Sequence, residues 1–222
     1  MLALAVALTV VLDPGHGGSE AGARGVVAGM TEKKATLAYA RALKERLEAA
    51  GARVVLTRDG DQLVPIRERV RRANAARADL FVSLHLNASP DRTQRGFETY
   101  VLAREAEGRE AREIELREGA TGGDVAAIVS DLAQEAAEAR AARVGRAIQD
   151  RLAHLLGAAG DRGLKQAPLD VLKGHRAPAV LVEVGFIDQA EEGRAIVSSE
   201  MIGKVADALA GAILESFREK KP

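Results

Sequence analysis

The segment Val11–Gly18, VLDPGHGG, ends an apolar run with a bend and sets a histidine among glycines. From Val6 to Leu12 the chain is apolar apart from Thr9. A strand that is apolar on both sides belongs inside a parallel sheet, where helices cover both faces. Asp13, Pro14 and Gly15 then break the run, as turn-forming residues do. Glycine next to His16 lets the backbone come close to another group. His16 therefore lies just past the carboxyl end of an inner strand, where open α/β sheets build their sites.

Outward from this bend the chain repeats strand and helix. Leu37, Ala40, Leu43, Leu47 and Ala50 recur at helical spacing from Glu32 onward, and Gly51 stops that helix. Arg53–Thr57, RVVLT, reads as a second strand. Pro65 opens a helix with Ile66, Val70 and Ala73 inward, and LFVSLH, Leu80–His85, follows as a third strand. GFETYVL, Gly96–Leu102, alternates like a strand near a sheet edge. AVLVEVGF, Ala179–Phe186, is a buried strand, and Met201–Phe217 a closing amphipathic helix. This order predicts one α/β domain over residues 1–222, with a mostly parallel central sheet of about six strands flanked by helices on both faces. Between 104 and 140 the texture shifts to Ala, Glu and Arg, which reads as a helical insertion.

Composition narrows the partners. The 222 residues suffice for one core, and 32 basic against 32 acidic side chains give no long-range pull toward nucleic acid. The basic run RERVRRANAAR has no aromatic residue for base stacking and reads as a solvated helix face. With no cysteine, any metal must rest on His, Asp or Glu. The apolar start MLALAVALTVVLDPG lacks the basic region and cleavage site of a signal peptide, and it is shorter than the roughly 20 residues that span a bilayer. No transmembrane segment is expected, and an exported protein would carry its signal outside this chain.

Three residues are candidates to join His16. His85 closes the third strand, Glu183 lies within the last, and Glu32 begins the first helix. Two imidazoles and a carboxylate suit zinc and leave a fourth position open, while another carboxylate beside them can move a proton. Taken singly, His85 reads equally well as a core histidine, and Glu32 as a carboxylate favoured at a helix N-terminus. Glu183, between Val182 and Val184, is hardest to assign to packing, because a buried charge is costly unless paired. His154 and His175 read as exposed or structural.

The blocks VVLDPGHGG, TEKKATLAYARAL, VVLTRDGD, ERVRRANAARADLFVSLHLNAS, GFETYVL, RGLKQAPLDVLK and PAVLVEVGFI, in this order, resemble the catalytic domain of the zinc-dependent N-acetylmuramoyl-L-alanine amidases of the type-3 amidase family. The similarity spans nearly the whole chain apart from the insertion. It implies peptidoglycan as substrate, cleaved at the amide joining the lactyl group of N-acetylmuramic acid to L-alanine. It also implies one Zn2+ per chain on His16, Glu32 and His85, with Glu183 as the catalytic glutamate. Cell-wall remodelling, daughter-cell separation and an exported location in the periplasm or cell envelope follow from that substrate, and a monomer is expected. HLNA and GFID depart from the commoner family pattern without removing a ligand.

In some didermic members of that family the region matching the insertion is a regulatory helix, which covers the zinc cleft until a LytM-domain activator displaces it. Here Val125, Ile128, Val129 and Leu132 share one helical face, and Asp131, Glu135 and Glu138 another. Glu118, Glu135 and Glu138 are the candidates to fill the open zinc position in a resting state. Two other readings stay open: a zinc peptidase or deacylase acting on another amide, and a catalytically silent wall-binding regulator.

Overall fold

All six positions of β1 (Thr9–Pro14) are buried, as expected of a strand covered on both faces. The computed structural model describes residues 8–103 and 125–218, with side chains from residue 133 onward in the second stretch. After β1 come α1 (Glu32–Ala49), β2 (Arg53–Leu56), α2 (Ile66–Ala75), β3 (Leu80–Asn87) and β4 (Phe97–Leu102). The remaining elements are α3 (Val125–Leu156), β5 (Asp161–Ala167), β6 (Ala179–Phe186), α4 (Glu192–Ile196) and α5 (Ser199–Phe217). One six-stranded sheet runs in the order β2-β1-β3-β6-β4-β5. The first four strands are parallel; β4 is antiparallel to β6, and β5 is parallel to β4. The chain leaves β1 in one direction for β2 and returns on its other side as β3, which opens a crevice at the carboxyl ends of β1 and β3.

Side-chain alternation gives the sheet two unlike faces. Val10, Leu12, Val82, Leu84, Val180, Val182 and Val184 pack against α1, α3 and α5 in one aliphatic core. Leu43 and Leu47 of α1, Ile148 and Leu152 of α3, and Leu209 and Ile213 of α5 are fully or almost fully buried in it. The other face holds a smaller cluster of Val11, Phe81, Ala179 and Leu181, covered by Ala73 of α2 and Leu172 of a short 3-10 turn. Toward the carboxyl ends of the strands that second face turns polar, with Asp13 and Ser83 buried and His85 and Glu183 following in alternation.

Four details differ from the sequence reading. Leu37 is half-buried and Ala50 exposed, because Ala35, Thr36 and Tyr39 take the inward positions of α1. Ile66 is 45% exposed, since Arg69 turns inward to meet Asp13. That arginine is buried, in a helix read as solvated. β4 is an interior strand: the edge belongs to β5, DRGLKQA, whose half-exposed polar residues carry no apolar pattern to read.

Among the described side chains of α3 the first buried one is Ala141, and residues 125–140, which the sequence sets apart, belong to the same helix. Among the described residues no helix is long and apolar enough to cross a membrane.

Candidate metal centre

Glu32 is the point of convergence. It opens α1, is 5% exposed, and receives His16 Nε2 on Oε2 at 3.0 Å and His85 Nδ1 on Oε1 at 2.9 Å. The backbone N–H of Ala23 donates to Oε2 at 2.9 Å and that of Leu86 to Oε1 at 3.2 Å. The imidazole centroids are 5.1 Å apart, and one ligand atom from each of the three residues lies within 4.8 Å of the others. Ligand atoms of a tetrahedral zinc site, at bonds of about 2.0–2.1 Å, stand roughly 3.3 Å apart, so the donor chemistry fits a divalent ion and ligand atoms within 4.8 Å of one another need close only slightly around it.

Local backbone rules make this approach feasible. A Cβ on Gly15 would lie 2.3 Å from the His85 ring, so the glycine before His16 lets the other histidine sit against the chain. Gly22, at φ 66°, likewise leaves room for Glu32 and His16, where a Cβ would come within 2.5 Å of Oε2. His16 itself is held at φ 61°, a left-handed conformation that side chains other than glycine rarely adopt. Arg69 fixes it by donating to the carbonyls of Pro14 and His16, each at 2.8 Å, while Arg58 donates to the Gly15 carbonyl at 2.8 Å. Asp13 anchors Arg69 at 2.6 Å and accepts from the Ser83 hydroxyl at 2.8 Å.

Glu183 lies across from His85 in the register of β3 and β6. Its Oε2 is buried and has no hydrogen-bond partner among the described residues. Burial pushes its pKa up to about 7; Glu32 and Glu98 add to the rise and His85 opposes it. Burial also works to raise the pKa of Glu32, but hydrogen bonds from His16, His85 and Ala23 reverse that and hold it well below the usual carboxylate range. For His85 burial disfavours the charged form, yet its hydrogen bond to Glu32 and the charge of Glu183 raise its pKa. One carboxylate is thus held ionised, while its neighbour's pKa is raised toward neutrality.

The structure therefore brings His16, Glu32, His85 and Glu183 together. Glu135 and Glu138 stand elsewhere, beside a cavity of about 280 Å³ that Val101, Leu102, His175 and Ala179 also line. Ala179 begins β6, so this cavity lies at the end of the sheet opposite His16 and His85. Glu118 lies outside the described residues, as do the side chains of Val125, Ile128, Val129, Asp131 and Leu132. His154 is exposed, and the His175 ring stacks on Phe81 at 4.0 Å. Sequence reasoning missed Asp13, Arg58 and Arg69 as supports of His16, and Glu98, Arg162 and Lys165 beside Glu183. Asn87 donates to Glu98 at 2.8 Å, while its own oxygen accepts from Ala88 N at 2.9 Å.

Fold and site together define an α/β domain with a three-residue candidate metal centre at the carboxyl ends of its parallel strands. Residues 10–215 match the family described as N-acetylmuramoyl-L-alanine amidase, and the chain belongs to that family. It is 33% identical over 222 residues to the N-acetylmuramoyl-L-alanine amidase AmiA of Escherichia coli K12, covering 94% of this chain and 75% of the relative. To LytC of Bacillus subtilis it is 32% identical over 210 residues, covering 95% of this chain but 36% of the relative. The chain thus spans about a third of LytC, and it spans 53% of an E. coli AmiC. Among solved structures it resembles the N-acetylmuramoyl-L-alanine amidase of Clostridium difficile 630, with a TM-score of 0.75 and 25% identity over 97% of this chain and 99% of that one. AmiC2 of Nostoc punctiforme superposes with a TM-score of 0.71 and 27% identity, covering 94% and 96% of the two chains.

Proposed function

We propose that this chain hydrolyses the amide joining N-acetylmuramic acid to L-alanine in peptidoglycan, using one zinc ion held by His16, Glu32 and His85. The observation that carries the reading is Glu183, opposite His85 in the strand register, whose buried Oε2 has no hydrogen-bond partner among the described residues. Bound at that cluster, zinc supplies Lewis acidity toward a carbonyl oxygen and a water. Glu183 accepts a proton from the attacking water and delivers it to the departing amine of L-alanine, a role suited to a carboxylate whose burial raises its pKa while a nearby cation favours its ionised form. Glu32 stays ionised throughout, and Arg69, through the His16 carbonyl, keeps the first imidazole turned toward it.

The proposal extends to an exported enzyme of the cell envelope, monomeric, acting in wall remodelling and daughter-cell separation. It includes restraint of the site by the 104–140 segment until a LytM-domain activator releases it. Because Glu135 and Glu138 line the cavity at the other end of the sheet, the blocking carboxylate in this reading is Glu118.

The test measures bound zinc and release of peptides with an L-alanine amino terminus from purified peptidoglycan. Glu183→Gln should keep about one zinc per chain and lose hydrolysis by about 10²–10⁴-fold. Full activity in that variant, or folded wild type that takes up no zinc, overturns the proposal. A 104–140 deletion assayed alongside should release product faster than the intact chain; an equal or slower rate in a folded deletion removes the regulatory part.

A further inference from the structure

A second buried carboxylate stands beside Glu183. Glu98, on β4, is the direct cross-strand partner of Glu183, and its side chain is 3% exposed. Both of its oxygens are engaged. Asn87 Nδ2 and the Tyr100 hydroxyl donate to Oε1 at 2.8 and 2.9 Å, while Arg162 Nε donates to Oε2 at 2.9 Å and Lys165 Nζ to that same oxygen. Burial alone would raise the pKa of Glu98, yet the hydrogen bonds from Lys165, Arg162 and Tyr100 hold it below its ordinary value. One anion therefore tethers two cations, and the group keeps a net charge of +1.

The cations are not enclosed: the Arg162 and Lys165 side chains are 32% and 37% exposed. Aromatic rings set their posture, with Arg162 over Phe186 at 5.1 Å and Lys165 over Tyr100 at 5.8 Å. As a mere tie between β4 and the edge strand β5 this would be an uneconomical arrangement. Partly exposed ion pairs contribute about 0–1 kcal/mol, and a second cation on the same oxygen adds repulsion that a further anion would relieve.

Register places the group relative to the metal centre. His85, Glu183 and Glu98 occupy one row across β3, β6 and β4. Adjacent strands lie about 4.8 Å apart, so Glu98 stands roughly 10 Å from His85, with Arg162 and Lys165 beyond it. An extended peptide advances about 3.5 Å per residue. A peptide whose scissile amide sits at the metal centre therefore has its second and third residues about 7–10.5 Å out, near Glu98, and a carboxylate on a side chain there reaches toward the two cations.

We infer that Arg162 and Lys165 form a subsite for a carboxylate on the peptide side of the substrate, two or three residues from the cleaved amide. The inference rests on the amidase reading and names the substrate class: an acidic peptide rather than its amidated counterpart. Arg162 gives Nε to Glu98 and Nη1 to Gln94 Oε1 at 3.2 Å and the Arg95 carbonyl at 3.4 Å, so Nη2 is the donor it offers a carboxylate, and lysine adds a point charge beside it.

The test is calorimetric binding, to the zinc-loaded wild type, of two synthetic stem peptides that begin with L-alanine. They differ only in whether the second-residue carboxyl is free or amidated. The free acid should bind about tenfold or more tightly, the range of a charge-assisted hydrogen bond. Arg162→Gln and Lys165→Met, checked for folding by thermal melting, should each bind the two peptides within about threefold of one another. Equal binding of both peptides by the wild type, no binding of either at millimolar concentration, or a preference that survives both substitutions overturns the subsite. Hydrolysis of peptidoglycan by the same wild-type sample separates the two readings. A carboxylate preference without hydrolysis removes the amidase and leaves the subsite, whereas hydrolysis without preference removes the subsite alone.

Discussion

On the face covered by α1, α3 and α5 the strands β1, β3 and β6 present aliphatic residues, whereas under α2 the sheet changes from Val11, Phe81 and Leu181 to Asp13, Ser83, His85 and Glu183 along the same strands. The first face is held by buried area shared among many side chains, each contributing weak dispersion and transfer terms. At its polar end the second is held by a few directional contacts among charges, where one missing partner leaves another stranded. The candidate site sits on the face with less helix above it, because α2 and the 3-10 turn leave the carboxyl ends of β3 and β6 and the amino end of β4 uncovered.

Arg69→Met is the severest way to test that contrast. Arg69 bonds Asp13 and the carbonyls of Val64, Pro14 and His16, and its loss leaves the Asp13 charge buried without its cation. The expected cost is about 3–5 kcal/mol in denaturant unfolding. Zinc affinity in a competition assay should fall as well, because the strained His16 backbone loses a clamp. On the other face Ile213→Val should cost about 0.5–1.5 kcal/mol and leave zinc affinity unchanged. Equal losses for the two variants, or an Arg69→Met protein with unaltered zinc binding, would erase the distinction between the faces.

Glu183 gives an effect of the opposite sign. In the metal-free protein its pKa is pushed up to about 7 from an ordinary 4.5, so between these values the native state holds a proton that the unfolded chain has released. The stability it contributes is present below about pH 4.5 and lost as pH rises through about 7. Near pH 8 the accumulated cost is about 3 kcal/mol, from roughly 2.5 pKa units at 1.36 kcal/mol each. Glu183→Gln, stripped of metal, should therefore be more stable than the wild type at about pH 8 by up to that amount and similar to it near pH 4. Added zinc should flatten the wild-type profile, since a nearby cation favours the ionised carboxylate. Parallel pH profiles for the two metal-free proteins would mean that Glu183 is solvated in solution.

The aliphatic face was largely legible in the sequence, because a helix or strand that meets one core repeats its apolar residues at 3.6 or 2 positions. His16 and Glu183 were legible for the converse reason, since a histidine among glycines and a carboxylate between valines sit badly in their local patterns; Glu32 and His85 stood out only in combination with them. Their supports were not. Arg69 and Glu98 find partners 56 and 64–67 positions away in the chain, and only the strand order brings those partners near. β4 lies next to β6 although α3 and β5 intervene in sequence, and no local rule announces that adjacency. β5 escaped because an edge strand with one face toward water need not alternate. The direction of α3 escaped too: helical periodicity places Glu135 and Glu138 on a face but not at an end of the sheet, and they stand at the end away from the histidines.

Ile66 offers the smallest and most local test. Periodicity points it inward, but Arg69 claims the inward direction of α2, leaving Ile66 45% exposed at the first position of the helix. An apolar residue there loses little when replaced, and a carboxylate in a first helical turn interacts favourably with the helix dipole by about 0.3–1 kcal/mol. Ile66→Glu should thus change unfolding stability by no more than about 0.5 kcal/mol, with a small gain the expected direction. The gain should shrink in high salt, as a dipole interaction at an exposed position does. A loss above about 1 kcal/mol would mean that Ile66 covers apolar surface after all. In that case the polar face would depend on its helix for buried area as well as for the Arg69 contact, and the contrast between the two faces would be one of degree.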